Sequence, residues 1–348
     1  MLELVASIWP EMPSGIAVTS SGRIFLSFPR WLDRRAFTVA ELVDGALVPF
    51  PSQTHNEIDV FDAAHRLFSV QSVVASDDAD TIWALDAGRP MYAPAIDGAA
   101  KLVEIDLASR RFKRIFVVPH GIARRRTYLN DVRFDMTRGP AGTAYVTDSG
   151  TLLSPCAIIV IDLATGRKLR RLDGHPSMQP RLGAIPNIEG RRLLYRAPIL
   201  TRVGAPYLNG ADGITLDPTG AYVYYCPLNS RSLYRVDADV LADPRAADAD
   251  VARMIVDVGV KPISDGLESD ADGRIYAGDL EGHRIACGRP FEPWRTLVED
   301  PWILWTDSMS VAGGYLYFTV NEIERMAPFN GLRDERKGPY RIFRVPLP

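Results

Sequence analysis

Two aspartates stand directly ahead of short apolar runs in similar stretches of the chain: Asp212 in NGADGITLDPTGAYVYYC and Asp265 in SDGLESDADGRIYAGD. In each stretch a later turn, Asp217-Pro218-Thr219-Gly220 or Asp270-Ala271-Asp272-Gly273, joins two β-rich runs as an ordinary hairpin would. The leading Asp-Gly therefore has another purpose. Oxygen- or amide-bearing residues lead other runs in the same way: Ser14, Gln71, Asn130 with Asp131, and Asp307. One aspartate at a strand entry satisfies nearby backbone groups and needs no further explanation. A recurring set is different, because unit charges about 4 Å apart repel by several kcal/mol at an intermediate dielectric. Converging carboxylates call for a cation, a shared proton or a cationic ligand. Oxygen ligands suit calcium or another hard divalent cation, with Asp212, Asp265 and Asn130 as its ligands. Proton transfer would use Asp265, Asp212 and Asp131, with Asn130, Gln71 and Asp307 holding the substrate.

The elements that must bring these residues together repeat along the chain. Strand, turn, strand units occur at GIAVTSSGRIFLSF, SVVASDDADTIWALD, VRFDMTRGPAGTAYVTD, GITLDPTGAYVYYC, GLESDADGRIYAGD and SMSVAGGYLYFTV. KLVEIDLASRRFKRIFVV and AIIVIDLATGRKLRRL supply third and fourth strands. Six units in 348 residues, about 58 residues each, predict an all-β fold: a six-bladed β-propeller of four-stranded blades around a central channel, one domain over 1–348. The innermost strand of each blade lines the channel, so the residue entering it faces the channel mouth. LELVASI beside YRIFRVPL would close the ring and remove an exposed edge. The widest interval, between Asp131 and Asp212, is expected to be an elaborated connection over one face. DADVLADPRAADADVARMI, cut by Pro244, offers one or two short helical turns at most.

Composition narrows the function classes. A net charge of −3 and only short, isolated arginine runs such as Arg124-Arg125-Arg126 argue against nucleic acid. No apolar stretch approaches the length of a membrane span, and the first fifteen residues lack a basic and then apolar leader pattern, so the expectation is a soluble, cytoplasmic chain with a small-molecule substrate. Cys156, Cys226 and Cys287 are odd in number and far apart, which predicts reduced, buried thiols. Trp83, Tyr145, Tyr224, Tyr276 and Tyr317 fall on second strands and are expected in the core. His65, His120 and His283 are weak acid–base candidates, and His175 reads as structural.

YLNDVRFD, AYVTDSG, IDLATGRKLRRLDGHPS, GADGITLDPTGAYVYYCPLNSRSLYRV and SDGLESDADGRIYAG, with SVQSVV, IWALDAGRP and DPWILWTDSMSV, resemble the yellow and major royal jelly protein family in the same order. The resemblance runs from about residue 10 to the end and implies a six-bladed propeller. It extends more weakly to senescence-marker-protein-30, gluconolactonase and strictosidine-synthase-like propellers. In the lactonases of that wider group a divalent cation, commonly calcium, is held by a first-blade Glu, a fourth-blade Asn and a fifth-blade Asp. Here the resemblance places Asp212 at the Asn and Asp265 at the Asp, while Asn130-Asp131 matches an assisting pair. Pro13 or Ser14 falls where the Glu belongs, with Glu11 the nearest acid and Asp307 a substitute oxygen. Some yellow proteins are credited with dopachrome conversion, which implies isomerisation or tautomerisation of a small indole- or quinone-like ring at the mouth. Metal-dependent lactone hydrolysis is the alternative, and non-catalytic binding of a small ligand the third reading.

Overall fold

The computed structural model of the chain describes residues 1–33, 35–76, 80–150, 154–196 and 204–348. Runs rich in β-branched and aromatic residues form strands because alternate side chains then bury against the sheets on either side. Six four-stranded antiparallel sheets result, five with strands in chain order. Their inner strands are Ile16–Val18 in blade I, Val70–Ser76 in blade II, Leu129–Asp135 in blade III, Ala211–Leu216 in blade IV and Leu267–Ser269 in blade V. Blade VI runs Met309–Ala312, Tyr315–Val320, Tyr340–Pro346 and then Glu3–Ile8, so the first strand of the chain is the outermost strand of the last blade. Its register, from Glu3 opposite Arg344 to Ile8 opposite Tyr340, closes the ring as the sequence predicts. Neighbouring inner strands touch in order around the whole ring, and blade VI returns to blade I.

Between blades lie separate apolar layers. Trp83 and Leu85 of blade II meet Val132 and Ile159 of blade III, and Tyr145 and Ile158 of blade III meet Ile214 and Tyr225 of blade IV. Each such side chain, fully buried, contributes about 1.5–3 kcal/mol relative to exposure. The expected core aromatics Trp83, Tyr145, Tyr224, Tyr276 and Tyr317 are all buried, as are the three free cysteines. Helix is confined, among the described residues, to short turns and to Ala238–Ala242 and Asp248–Arg253, where the sequence offered no more. The expected turn of SVVASDDADTIWALD falls at 77–79, outside the described residues.

The long connection between blades III and IV contains two small hairpins, Asn187–Ile188 with Arg191–Arg192 and Leu194–Tyr195 with Ala205–Pro206; its segment 197–203 lies outside the described residues. Ala184, Ile188 and Leu193 from this connection pack with Met12, Trp31, Trp305, Ile323, Met326 and Phe329 in a cluster that crosses several blades. A layer of loops thereby covers one end of the channel.

Candidate functional site

Local backbone geometry explains how the lead-in residues reach one place. In blades II, III and IV the ladder slips register between Val70 and Ser72, between Leu129 and Val132, and between Ala211 and Ile214. These irregularities coincide with Gln71, with Asn130-Asp131 and with Asp212, and a bulge re-aims a side chain that regular alternation would send elsewhere. In blades I, V and VI the strand starts two residues later, so Ser14, Asp265 and Asp307 precede it. The glycine of each Asp-Gly pair then has a steric role. A Cβ on Gly213 would lie 2.7 Å from the Asp265 carbonyl oxygen, and one on Gly266 would collide with the Asp307 carbonyl oxygen. Gly15 bears on Gln71 in the same way, with 3.1 Å from its Cβ position to the Gln71 carbonyl oxygen. Each glycine lets the next blade's lead-in residue approach.

Asp212, Asp265 and Asp307, with Gln71 and Asn130, line a cavity of about 680 Å³ at the covered end of the channel. Its walls are aromatic: Trp31, Tyr92, Tyr128, Tyr195, Tyr207, Trp305 and Phe329. The Asp212 and Asp265 carboxyls are buried on the same cavity and act on each other electrostatically, and a proton held between them would relieve their repulsion. Asn209 Nδ2 donates to Asp212 Oδ2 and Trp305 Nε1 donates to Asp265 Oδ2, each at 2.6 Å. Burial first, and then the neighbouring carboxylates, hold all three aspartates well above the ordinary range.

A directional chain of hydrogen bonds runs round the mouth. Trp31 Nε1 donates to the Tyr128 hydroxyl at 2.6 Å, Tyr128 donates to Gln71 Oε1 at 2.7 Å, and Gln71 Nε2 donates to Ser14 Oγ at 3.0 Å. The Ser14 hydroxyl in turn faces Asp307, which also accepts from Asn321 Nδ2 at 3.1 Å. Asn130 Nδ2 donates to Ser149 Oγ at 2.9 Å, leaving its carbonyl oxygen without that tie. Among the described residues the one buried cation of the wall, Arg89, spends its guanidinium on the carbonyls of Tyr92, Ala93, Arg126 and Thr127. It fixes the rim and leaves the carboxyls uncompensated.

The structure gathers five of the six sequence-predicted site residues on this cavity and directs Asp131 elsewhere. Its carboxylate accepts from Ser72 Oγ at 2.7 Å and Arg133 at 2.8 Å, and Asp131 is not part of the cavity lining. Glu11 is bound to Arg35, away from the first-blade position that Ser14 occupies. His65 and His120 pair with Asp62 and Asp97 on exposed surface, His283 faces the Ile303 carbonyl oxygen, and His175 caps a short turn at Ser177, so none lines the mouth. The aromatic walls were not read from the sequence. Tyr128 and Trp305 each stand two residues before a lead-in, Asn130 and Asp307, and that spacing was available. Tyr195 and Tyr207 come from the long connection and left no comparable signal.

The fold and this mouth define a class: a six-bladed β-propeller with an acidic floor and aromatic walls at one end of its channel. The chain belongs to the major royal jelly protein family, whose model matches residues 68–327. No curated protein sequence matches it. Among solved structures it is similar to a luciferin-regenerating enzyme, with 12% identity, 100% of this chain and 95% of the other covered, and a TM-score of 0.60. It is similar to a gluconolactonase from Xanthomonas campestris, with 11% identity, coverage of 100% and 89%, and a TM-score of 0.57. A calcium-binding regucalcin from Agrobacterium tumefaciens matches with 12% identity, coverage of 98% and 93%, and a TM-score of 0.51. At such identities the likeness is one of fold. No helix among the described residues is long and apolar enough to cross a membrane.

Proposed function

We propose that the chain is an enzyme that isomerises or tautomerises a small cyclic molecule at the channel mouth, with Asp212 and Asp265 moving the proton. The observation that carries this reading is the pair of buried carboxyls, Asp212 and Asp265, that act on each other at the base of one aromatic cavity. A pair that shares one proton contains a base and an acid at once. The carboxylate removes a proton from the ring, and the carboxyl returns one at a second position, so the substrate changes its bonding without net oxidation or hydrolysis. Trp31, Tyr128 and Trp305 offer flat faces for such a ring, and Asn130 and Gln71 offer amide groups to an oxygen that gains charge.

Divalent-cation chemistry with lactone hydrolysis is the second reading, favoured by the oxygen atoms of Asp212, Asp265 and Asn130 on one cavity. These donors fit a hard cation in kind. They fall short in number: Ser14 stands at the first-blade position, and among the described residues no three acidic, histidine or cysteine groups are arranged to hold a metal. A cation, when bound, would polarise a lactone carbonyl; the residues present favour the proton-sharing pair instead.

Asp212→Asn and Asp265→Asn test the proposal, since each keeps size and removes the acid. Both variants are expected to fold and to lose about 100-fold or more of turnover on a panel of indole-quinone tautomers, the scale of a lost acid–base group. Added calcium should leave wild-type melting unchanged. Turnover in proportion to folded protein in both variants would overturn the assignment. Calcium-dependent melting that both variants abolish, with turnover of lactones, would replace it by the metal-dependent hydrolase.

A further inference from the structure

The two short turns that wall the mouth, Ile323–Arg325 and Ala327–Phe329, have a second face. Behind them lies a separate cavity of about 1010 Å³, with Phe329 common to both. Glu324 lines it with a side chain only 8% exposed, and neither carboxyl oxygen takes a hydrogen bond from another residue. A buried carboxyl almost always has such a partner. The nearest cation, Arg325, places Nε 3.5 Å from Glu324 Oε1 but is committed elsewhere, donating to both oxygens of Glu189 at 3.0 Å and to Glu322. Other charges of the lining are also internally matched: Arg191 with Glu335, and Arg336 with Asp334. Arg192, Arg196 and Lys337 are not; among the described residues their side chains form no ion pair or hydrogen bond. The cavity thus combines three unmatched positive charges with one unsatisfied buried carboxyl.

We propose that this cavity is a second binding site, for a small hydroxylated anion, a phosphorylated or carboxylated polyol whose charge is met by Arg192, Arg196 and Lys337 and whose hydroxyl is held by Glu324. Glu324 suits a hydroxyl because burial pushes its carboxyl up to about 8, with its own backbone N–H and then Arg325 opposing that shift and Glu322 and Glu189 reinforcing it. In neutral solution it therefore carries a proton, offering one donor and one acceptor without repelling the anion. Asp334, Glu335, Arg336 and Lys337, from the segment after the second turn, complete the charged groups on that side of the cavity. The site is independent of the chemistry at the mouth, and it adjoins the mouth through a shared wall.

Calorimetric titration of the full chain with glycerol 3-phosphate, glycerate and neutral glycerol tests the proposal. Either or both anions should bind, which distinguishes phosphate from carboxylate as the preferred charge, and glycerol should not. Arg192→Ala and Arg196→Ala should each weaken the bound anion by about tenfold or more, the scale of a charged hydrogen bond. Arg192 is exposed, so its replacement leaves the fold intact. Glu324→Ala should weaken binding similarly, while Glu324→Gln, which keeps a donor and an acceptor, should bind nearly as wild type. Binding of whichever anion is preferred should weaken as pH rises through about 8 in the wild type and stay level in Glu324→Gln. No binding of either anion, equal binding of glycerol, or wild-type affinity in the arginine variants would each overturn the assignment.

Discussion

Three carboxyls crowd the mouth with no ammonium or guanidinium among the described residues placed to neutralise them, and that has a thermodynamic sign. Asp212, Asp265 and Asp307 titrate above the ordinary value of 3.8 in the folded chain, chiefly because burial disfavours their charged forms. The unfolded chain therefore releases these protons at lower pH than the folded one. Their contribution to stability is complete below about pH 3.8 and is lost as pH rises through the raised folded values. Asp265→Asn removes one of the three and lowers the repulsion on the other two. The expected outcome is a smaller fall in melting temperature between mildly acidic and mildly alkaline buffer than in wild type, measured by thermal melts across pH. An unchanged pH slope would show that the carboxyls are not coupled in solution.

Strand ends hold the ring as much as strand middles do. The second strand of blade II ends at Asp86, that of blade III at Asp148 and that of blade V at Asp279. Each takes a basic partner: Lys101 at 3.1 Å, Arg170 at 2.6 Å and Arg284 at 2.8 Å. Asp86 also accepts from the backbone N–H groups of Phe68, Ser69 and Gly88, pinning the segment that leads into Gln71. Asp86 and Lys101 are both completely buried. Asp86→Asn leaves the Lys101 ammonium without a counter-charge and should cost about 3–5 kcal/mol by denaturant unfolding; a loss under about 1 kcal/mol would refute this role. The propeller and the leading Asp212 and Asp265 were legible because strand, turn, strand repeats and Asp-Gly recur at readable intervals. These strand-end aspartates recur as plainly, in IWALD, AYVTD and IYAGD, but their basic partners lie 5 to 22 residues away with no common spacing. The walls of the mouth were hidden for the same reason: Trp31, Tyr195 and Tyr207 come from connections whose paths depend on packing, not on period.

Across the whole molecule, the ring is held shut by one antiparallel pairing between Glu3–Ile8 and Tyr340–Pro346, reinforced by Arg344 donating to Glu3 at 2.7 Å across 341 positions of sequence. Deleting residues 2–8 would expose the Tyr340–Pro346 edge and strip cover from the apolar layer between blades VI and I that holds Ile8. The expected result is a lower melting temperature together with higher-order species in size-exclusion chromatography. A monomer that melts like the full chain would show that closure does not depend on this strand. The entropy of joining such distant segments is modest, since extending a closed loop from about 20 residues to about 340 adds only about 2.5 kcal/mol. Time is the greater constraint. Glu3–Ile8 is translated before every other strand of the ring and its partner Tyr340–Pro346 after all of them, so blades I to V can assemble during synthesis while blade VI must wait for that last strand. A message cut short anywhere before Tyr340 yields a protein whose opening strand has nothing to pair with, and incomplete products thereby display an unpaired strand to the cell's quality control.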